Sequence, residues 1–554
     1  AAALPFPFVP PLPPDDHAGF GRVVPPRILP AAARRPAGCE NRRPMSEPVT
    51  LTGESLTLDD LVSVAWRGRA AVLSAEAARR IDASRAVIDR AVREDRVVYG
   101  VTTGFGKFSD VVIPREKLRE LQRNLVESHA AGVGELLPTP AVRALMLLRA
   151  NCLARGFSGV RRQTVELLLA MLAAGIHPRV PSQGSVGASG DLAPLAHLAR
   201  AVMGEGEVEH RGNVLPAAEA LAAAGLTPAV FEAKEGLVVI NGTQLTTSVG
   251  GLALARLLSL VKAADLVTAL TTDALKGTDA AFDPRIHAAR PHPGQGASAR
   301  NLRALLAGSP LRESHRHCGT VQDAYALRCA PQVHGTVRDA CAHALRVVTT
   351  EMNSATDNPM VFAAGPDGEG ELISGGNFHA APVALVFDLL TAAPTDLASV
   401  SERRTERLVN PTLSGDLPAF LVKEGGLHSG FMMIHVTAAA LVSECKANSF
   451  PASVDSIPTS AGKEDHVSMG PIAARKLARN VANLQNVLAI ELLAAAQALD
   501  LRRPLRSSPP LEELHARLRA RVAPWDADRY AAAGMDAARD VLVSGIDDLL
   551  ARLE

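Results

Sequence analysis

The chain has 554 residues, 47% of them hydrophobic and 21% charged, enough for one large globular domain or a few smaller ones. Its 58 Lys and Arg residues balance 58 Asp and Glu residues, which removes any general electrostatic attraction to nucleic acid or to an anionic membrane. Aromatic residues are only 3%, with tyrosine at just Tyr99, Tyr325 and Tyr530, so each tyrosine is weighed as a candidate.

Residues 1–44 stand apart. They hold eleven of the 38 prolines and six arginines, with no lysine and no serine. Proline at this density opposes helix and central strand, so a disordered extension is expected, outside the natural fold, with Met45 as the natural start. The segment has no apolar signal core and fits a transit peptide only in being Arg-rich and acid-poor.

From residue 55 the pattern turns helical. In SLTLDDLVSVAWRG, Ser55 or Thr57 is the expected cap of a helix with apolar residues at helical spacing. Residues 139–155 and 162–175 read as helices within a part, 45–245, whose loops hold most of the glycine motifs. Further helices are expected at 246–276, 335–354 and 381–403. Residues 474–501 are apolar on more than one side and must be buried among other helices. Few stretches alternate like strands, and no solenoid period is present. The expected fold is mainly α: a loop-rich N-terminal part, 45–245, carrying the site, followed by a bundle of long helices, 246–554.

No apolar run reads as a membrane span. Residues 236–255 lack charge but contain Asn241 and Gln244 and are broken by Gly242, Gly250 and Gly251. A cytoplasmic protein is expected. The six cysteines show no CxxC pair and read as free buried thiols. His315, His317 and Cys318 lack a second pair of ligands, so no metal site is expected.

GFGK (104–107) matches a phosphate loop only superficially. Val101 and Phe108 occupy positions that need Gly and Ser or Thr, and Ser109 breaks the dinucleotide pattern. Ala188-Ser189-Gly190 has two readings. Glycine and serine are ordinary turn residues. But a glycine amide is unhindered, and a fold that compresses the loop brings the Gly190 nitrogen onto the Ala188 carbonyl carbon. Cyclisation with loss of two waters then gives a ring with an exocyclic methylidene. Such a group is an electron sink of the kind enzymes otherwise take from a cofactor. The tripeptide alone does not decide.

Its context does. GSVGASGDLAPLAH (184–197) sits in order with VYGVTTGFG (98–106), SHAAGVGE (128–135), RGFSGVRR (155–162) and KEGLVVINGTQ (234–244). QDAYALRCAPQV (322–333), SGGNFHA (374–380) and PTSAGKEDHVSM (458–469) follow. This series resembles the aromatic amino acid ammonia-lyases over residues 55–520. The resemblance implies a fumarase/aspartase-like helical architecture and a 4-methylidene-imidazol-5-one formed from Ala188, Ser189 and Gly190, with no external cofactor and no metal. Within the family the chain is most similar to members acting on L-histidine, which implies release of ammonia and trans-urocanate in histidine degradation. It also implies a homotetramer whose sites draw residues from several subunits, with neither nucleic acid nor membrane as partner. Phenylalanine or tyrosine ammonia-lyase and aromatic aminomutase are the alternatives within the family. A helical scaffold without activity is the alternative outside it.

The same resemblance distributes the roles. Tyr99 matches the catalytic tyrosine taken as the β-proton base, which needs nearby positive charge or strong donors to work at neutral pH. Tyr325 and Asn241 contact the electrophile or the substrate amine and carboxylate, and Gln322 belongs to the substrate site. Arg328 suits bidentate capture of the substrate carboxylate. Gln322, Tyr325 and Arg328 are three apart, so consecutive members are neighbours if the segment is helical. Asp191 and Phe378 support ring formation. His129 and Glu464 select the substrate, because a phenyl ring would leave the Glu464 carboxylate buried and unpaired. One departure stands out: the family commonly has Asn-Gln before Glu-Asp, where this chain has Gly462-Lys463, a positive charge beside the pocket wall.

Overall fold

Thr57, not Ser55, opens helix α1 (Leu58–Arg67). Its hydroxyl accepts the Asp60 N–H at 3.1 Å while the Asp60 carboxylate accepts the Thr57 N–H at 3.2 Å, a reciprocal cap that satisfies two orphan donors. Gly68 ends the helix at φ +73°, the left-handed position glycine adopts at least cost. The computed structural model describes residues 47–363 and 369–553; the expectations for residues 1–44 and Met45 lie outside them.

The N-terminal part carries α2 (Leu118–His129), α3 (Thr139–Ala154) and α4 (Leu192–Val202), with a further helix at Arg162–Ala174. Two short antiparallel strands, β1 (Val133–Leu136) and β2 (Pro181–Gln183), bring the loop after α2 against the loop before α4. The bundle follows: α5 (Gln244–Ala274), α6 (Ala330–Met352), α7 (Ala381–Val409), α8 (Met432–Asn448) and α9 (Gly470–Leu501). The other strands described are equally short, in sheets of two or three. The mainly helical expectation holds. Helix α6 starts earlier than the pattern indicates because Pro331 lies in its first turn, where a missing N–H costs no intrahelical bond.

The main apolar core draws on residues from Val49 to Leu553, and a smaller second cluster gathers Val87, Ile88, Val101, Leu118, Ala233 and Val361. Helix α9 packs against α5, α7 and α8, and α7 against α6. A buried polar knot fixes their register. Glu491 of α9 accepts Arg404 Nε at 2.6 Å and Nη2 at 2.8 Å, and Ser401 Oγ at 2.6 Å, all from α7. Thr271 Oγ1 of α5 completes it at 2.8 Å. The Arg404 and Glu491 side chains are fully buried, so each charge depends on the other.

Helices α7 and α9 are long and apolar enough to cross a membrane by composition alone, which the sequence reading did not register. Both are packed within the bundle, α9 with 78% of its apolar window buried, and both carry charged residues of the Arg404–Glu491 knot. The cysteines also differ in part from expectation. Cys152, Cys341 and Cys445 are buried and free, Cys329 is half-buried, and Cys318 is exposed; Cys39 lies outside the described residues.

Candidate active site

The Ala188-Ser189-Gly190 loop is clamped between the N-terminal ends of the two longest helices. Toward α5, the Asp191 N–H donates to the Gly242 carbonyl at 2.7 Å, and Gly190 lies so close that a Cβ there would sit 2.3 Å from the same oxygen. Toward α9, Met469 N–H donates to the Val186 carbonyl at 2.9 Å and Ser468 Oγ to the Gly187 carbonyl at 3.1 Å. A Cβ at Gly187 would lie 2.3 Å from Ser468 Oγ. Gly187 and Gly190 have φ of +68° and +74°, and Gly242 +146°. Glycine is required at these positions by both angle and space. This close packing on both sides and the small residues present fit a methylidene-imidazolone made from Ala188, Ser189 and Gly190.

Asp191 anchors the clamp from below. It is fully buried, and its carboxylate accepts Thr246 N–H at 2.8 Å and Thr246 Oγ1–H at 2.9 Å in the first turn of α5. Burial pushes its pKa up to about 7, opposed by the Thr246 bonds and raised further by the nearby Glu351 charge. Glu351, which sequence reasoning missed, is itself pushed up by burial and accepts Thr243 Oγ1–H at 2.5 Å. Two carboxyl groups therefore share one helix N-terminus, where the partial positive charge favours them.

Asn241 is 2% exposed, and its amide nitrogen donates to Asp357 Oδ1 and the Asn358 carbonyl, both at 3.1 Å. Its Oδ1 is buried without a partner, an acceptor left over for an incoming amine. The residues holding it were in part visible and unassigned. Lys234, in KEGLVVINGTQ, pairs with Asp357 at 3.0 Å with both side chains fully buried. Arg149 donates to the Asn241 carbonyl at 2.7 Å and to Gln244 Oε1 at 2.6 Å.

Tyr99 lies half-buried in a tight turn that threonines close. Thr102 Oγ1 accepts Val98 N–H at 2.9 Å, and Thr103 Oγ1 accepts Gly100 N–H at 3.2 Å. The Tyr99 hydroxyl accepts Gly106 N–H at 3.4 Å, and Gly106 packs against Ser460 in the loop carrying Glu464. Glu464 turns inward while Asp465 and His466 stay exposed. Its Oε1 accepts Ser189 Oγ–H at 2.9 Å and its Oε2 accepts Thr459 Oγ1–H at 2.7 Å. His129, at the end of α2, is half-buried; its Nδ1 lies 2.8 Å from the Leu125 carbonyl, which leaves Nε2 as the free acceptor of the neutral ring. Burial lowers its pKa, against the pull of the Leu125 carbonyl and the Glu464 charge. The exposed Lys463 sits beside Glu464 in the loop but forms no ion pair among the described residues.

Phe378 lies half-buried in a turn whose next residue, His379, stacks on His466 at 5.7 Å, so its loop borders that of Glu464. Gln322, Tyr325 and Arg328 are not brought to the cluster: among the described residues no hydrogen bond joins them to it. Only Tyr325–Arg328 forms a helical turn, and Gln322 lies outside it, exposed, so the three-residue ladder reduces to one pair. In that pair the Arg328 guanidinium stacks over the Tyr325 ring at 4.6 Å. Tyr325 is 71% exposed, and Arg328 Nε is buried without a partner.

This packed loop, with the Glu464 carboxylate on its serine and a bundle of long helices beneath it, matches a class of lyases. The sequence model described as aromatic amino acid lyase matches residues 56–520, and the chain belongs to that family. It is 54% identical over 503 residues to histidine ammonia-lyase of Koribacter versatilis (strain Ellin345), covering 89% of this chain and 98% of that protein. The fold superposes on histidine ammonia-lyase from Trypanosoma cruzi with a TM-score of 0.84 at 44% identity, over 91% of this chain and 95% of that one. Tyrosine aminomutase from Streptomyces globisporus gives 0.86 at 38% identity, over 92% and 99%.

Proposed function

We propose that this chain removes ammonia from L-histidine to give trans-urocanate. The observation that carries the reading is the Glu464 carboxylate held on Ser189 with the His129 ring within reach of its charge. Glu464 accepts the Ser189 hydroxyl at 2.9 Å, and its charge reaches the neutral His129 ring. An imidazole side chain has one N–H to give and one nitrogen to receive, which suits a carboxylate beside a histidine. A phenyl ring would strand the carboxylate, at a cost of about 1–3 kcal/mol or more for a charged group.

Ala188, Ser189 and Gly190 would form the methylidene-imidazolone, which supplies an electrophile that turns the substrate amine into a leaving group. The remaining work falls to side chains. Tyr99 takes the β-proton. Asn241 offers its unpartnered Oδ1 to the amine. Asp191 holds the loop in its compressed form through Thr246. Arg328, with its free Nε, takes the substrate carboxylate, and Gln322 and Tyr325 join it. Because these three stand apart from Ser189 within one chain, the reading includes a homotetramer in which another copy supplies them, working in the cytoplasm. The part carrying the electrophile, 45–245, and the helical part, 246–554, are its two halves.

The likeness to tyrosine aminomutase supports a second reading, in which ammonia returns to the β-carbon. Incubation with L-histidine, L-tyrosine and L-phenylalanine separates them. The first reading expects urocanate absorbance from L-histidine alone; a β-amino acid product from any of the three overturns it.

A further inference from the structure

The Ser189 hydroxyl donates to Glu464 Oε1 at 2.9 Å across a separation of 275 residues. The other Glu464 oxygen is fixed by Thr459 Oγ1 at 2.7 Å, and the loop closes on itself through Thr459 N–H to the Glu464 carbonyl at 2.9 Å. Ser460 and Ala461 hold φ of +53° and +54° within this loop, a left-handed backbone that persists only where the surroundings enforce it. A strained loop thus presents one carboxyl group to one serine hydroxyl. The neighbouring carboxyls are committed elsewhere, Asp191 to Thr246 and Glu351 to Thr243.

We propose that Glu464 acts on the chain before it acts on substrate, as the acid that delivers a proton to the departing Ser189 hydroxyl while the electrophile matures. This rests on the reading of Ala188–Gly190 as self-cyclising. Ring closure forms a bond from the Gly190 nitrogen to the Ala188 carbonyl carbon, and that carbonyl oxygen leaves as water with the hydrogens of the Gly190 and Ser189 nitrogens. In the second loss the Ser189 Cα–H bond breaks, and its electron pair becomes the Cα–Cβ double bond. The Cβ–Oγ bond breaks with its pair staying on oxygen. Hydroxide is a poor leaving group, so the oxygen departs as water with its own hydrogen and a proton delivered by Glu464. The Glu464 carboxylate takes up that proton from the broken Cα–H bond, and so ends the step as the carboxylate it began. Maturation frees Glu464 from its serine partner, which leaves the carboxylate open to a substrate imidazole. One residue therefore serves two reactions in sequence, and the first clears the site for the second.

Intact mass tests this apart from turnover. Full-length wild-type, Glu464→Gln and Glu464→Asp chains are made by in vitro translation and sampled over time under denaturing conditions, with circular dichroism on purified protein to establish folding. Glutamine keeps a hydrogen-bonding partner for Ser189 but cannot carry the proton; aspartate keeps the carboxylate and withdraws it by one methylene. The wild type is expected to become lighter by two waters. Glu464→Gln is expected to accumulate at one water lighter, its second loss slowed roughly a hundredfold, the scale of a lost general acid, with Glu464→Asp between them. A merely structural role predicts rescue by glutamine. If both variants reach the two-water loss at the wild-type pace, the proposal is overturned. If Glu464→Gln does not fold, the aspartate variant decides by the same criterion. A wild-type chain that keeps its full mass overturns the self-cyclising reading itself, a distinct result.

Discussion

The bundle and the loop cluster seated on its helix ends are held together by opposite means. In the bundle, register comes from side chains: Glu491 gathers Arg404, Ser401 and Thr271 in a dry interior. Around Ser189, position comes from backbone: Gly187, Gly190 and Gly242 let chain segments approach closer than any Cβ permits. A side-chain knot localises its vulnerability to a few charged atoms and leaves the surrounding apolar positions open to exchange. A backbone clamp has little tolerance, since a Cβ at Gly190 collides with the main chain of Gly242 and one at Gly187 with the Ser468 hydroxyl. Activity and stability therefore sit on different residues, and substitutions should separate them.

The sharpest separation is Ser189→Ala. Turnover of L-histidine should fall roughly 10³-fold or more, the scale of losing a covalent participant, while the thermal melt stays at the wild-type temperature. A melt that falls with activity would break the comparison. Gly190→Ala tests the clamp directly: its Cβ would lie 2.3 Å from the Gly242 oxygen, so intact mass should show no loss of water. On the other side, Arg404→Met strands the buried Glu491 charge and should cost about 3–5 kcal/mol in urea denaturation. Adding Glu491→Gln should recover most of that loss.

A smaller effect is set by pH. Burial, with the charges of Arg143 and His210, brings His177 down to about 4 from its ordinary 6.5. Between those values the unfolded chain binds a proton that the folded chain does not. Stability from His177 is thus complete above pH 6.5 and is lost as pH falls toward 4. His177→Gln should flatten the acid side of a stability–pH curve over that window. The smallest effect is Thr57→Ala, about 1 kcal/mol from the lost cap of α1, with activity unchanged.

Much of this architecture is written in local pattern. Helices α1, α3, α5, α7 and α9 stand where apolar periodicity and the Thr57 cap place them, because each buries a face whose spacing is visible in the chain. The site was legible as motifs but not as geometry. Nothing in SGGNFHA or PTSAGKEDHVSM says that His379 stacks on His466, or that Glu464 reaches Ser189 across 275 residues. Glu351 and Arg149 escaped notice for a related reason. Each is an ordinary charged residue on a helix, and its role arises only from what buries it. Lys234 and Asp357 left no signal of their own, since each stands among polar neighbours, Glu235 and Asn358, and its meaning depends on their meeting. The three-residue spacing of Gln322, Tyr325 and Arg328 makes neighbours of all three only in a helix, and the helical turn begins only at Tyr325.

The clamp has a further consequence for the timing of reactivity. Its two jaws, Gly242 and Ser468, come from distant parts of the polypeptide, the second lying 281 positions beyond the carbonyl it grips at Gly187. On the proposed self-cyclising reading, a nascent chain that has not yet emitted residue 468 lacks one jaw and carries three ordinary amino acids, so the electrophile is armed only after nearly the whole chain has closed around it.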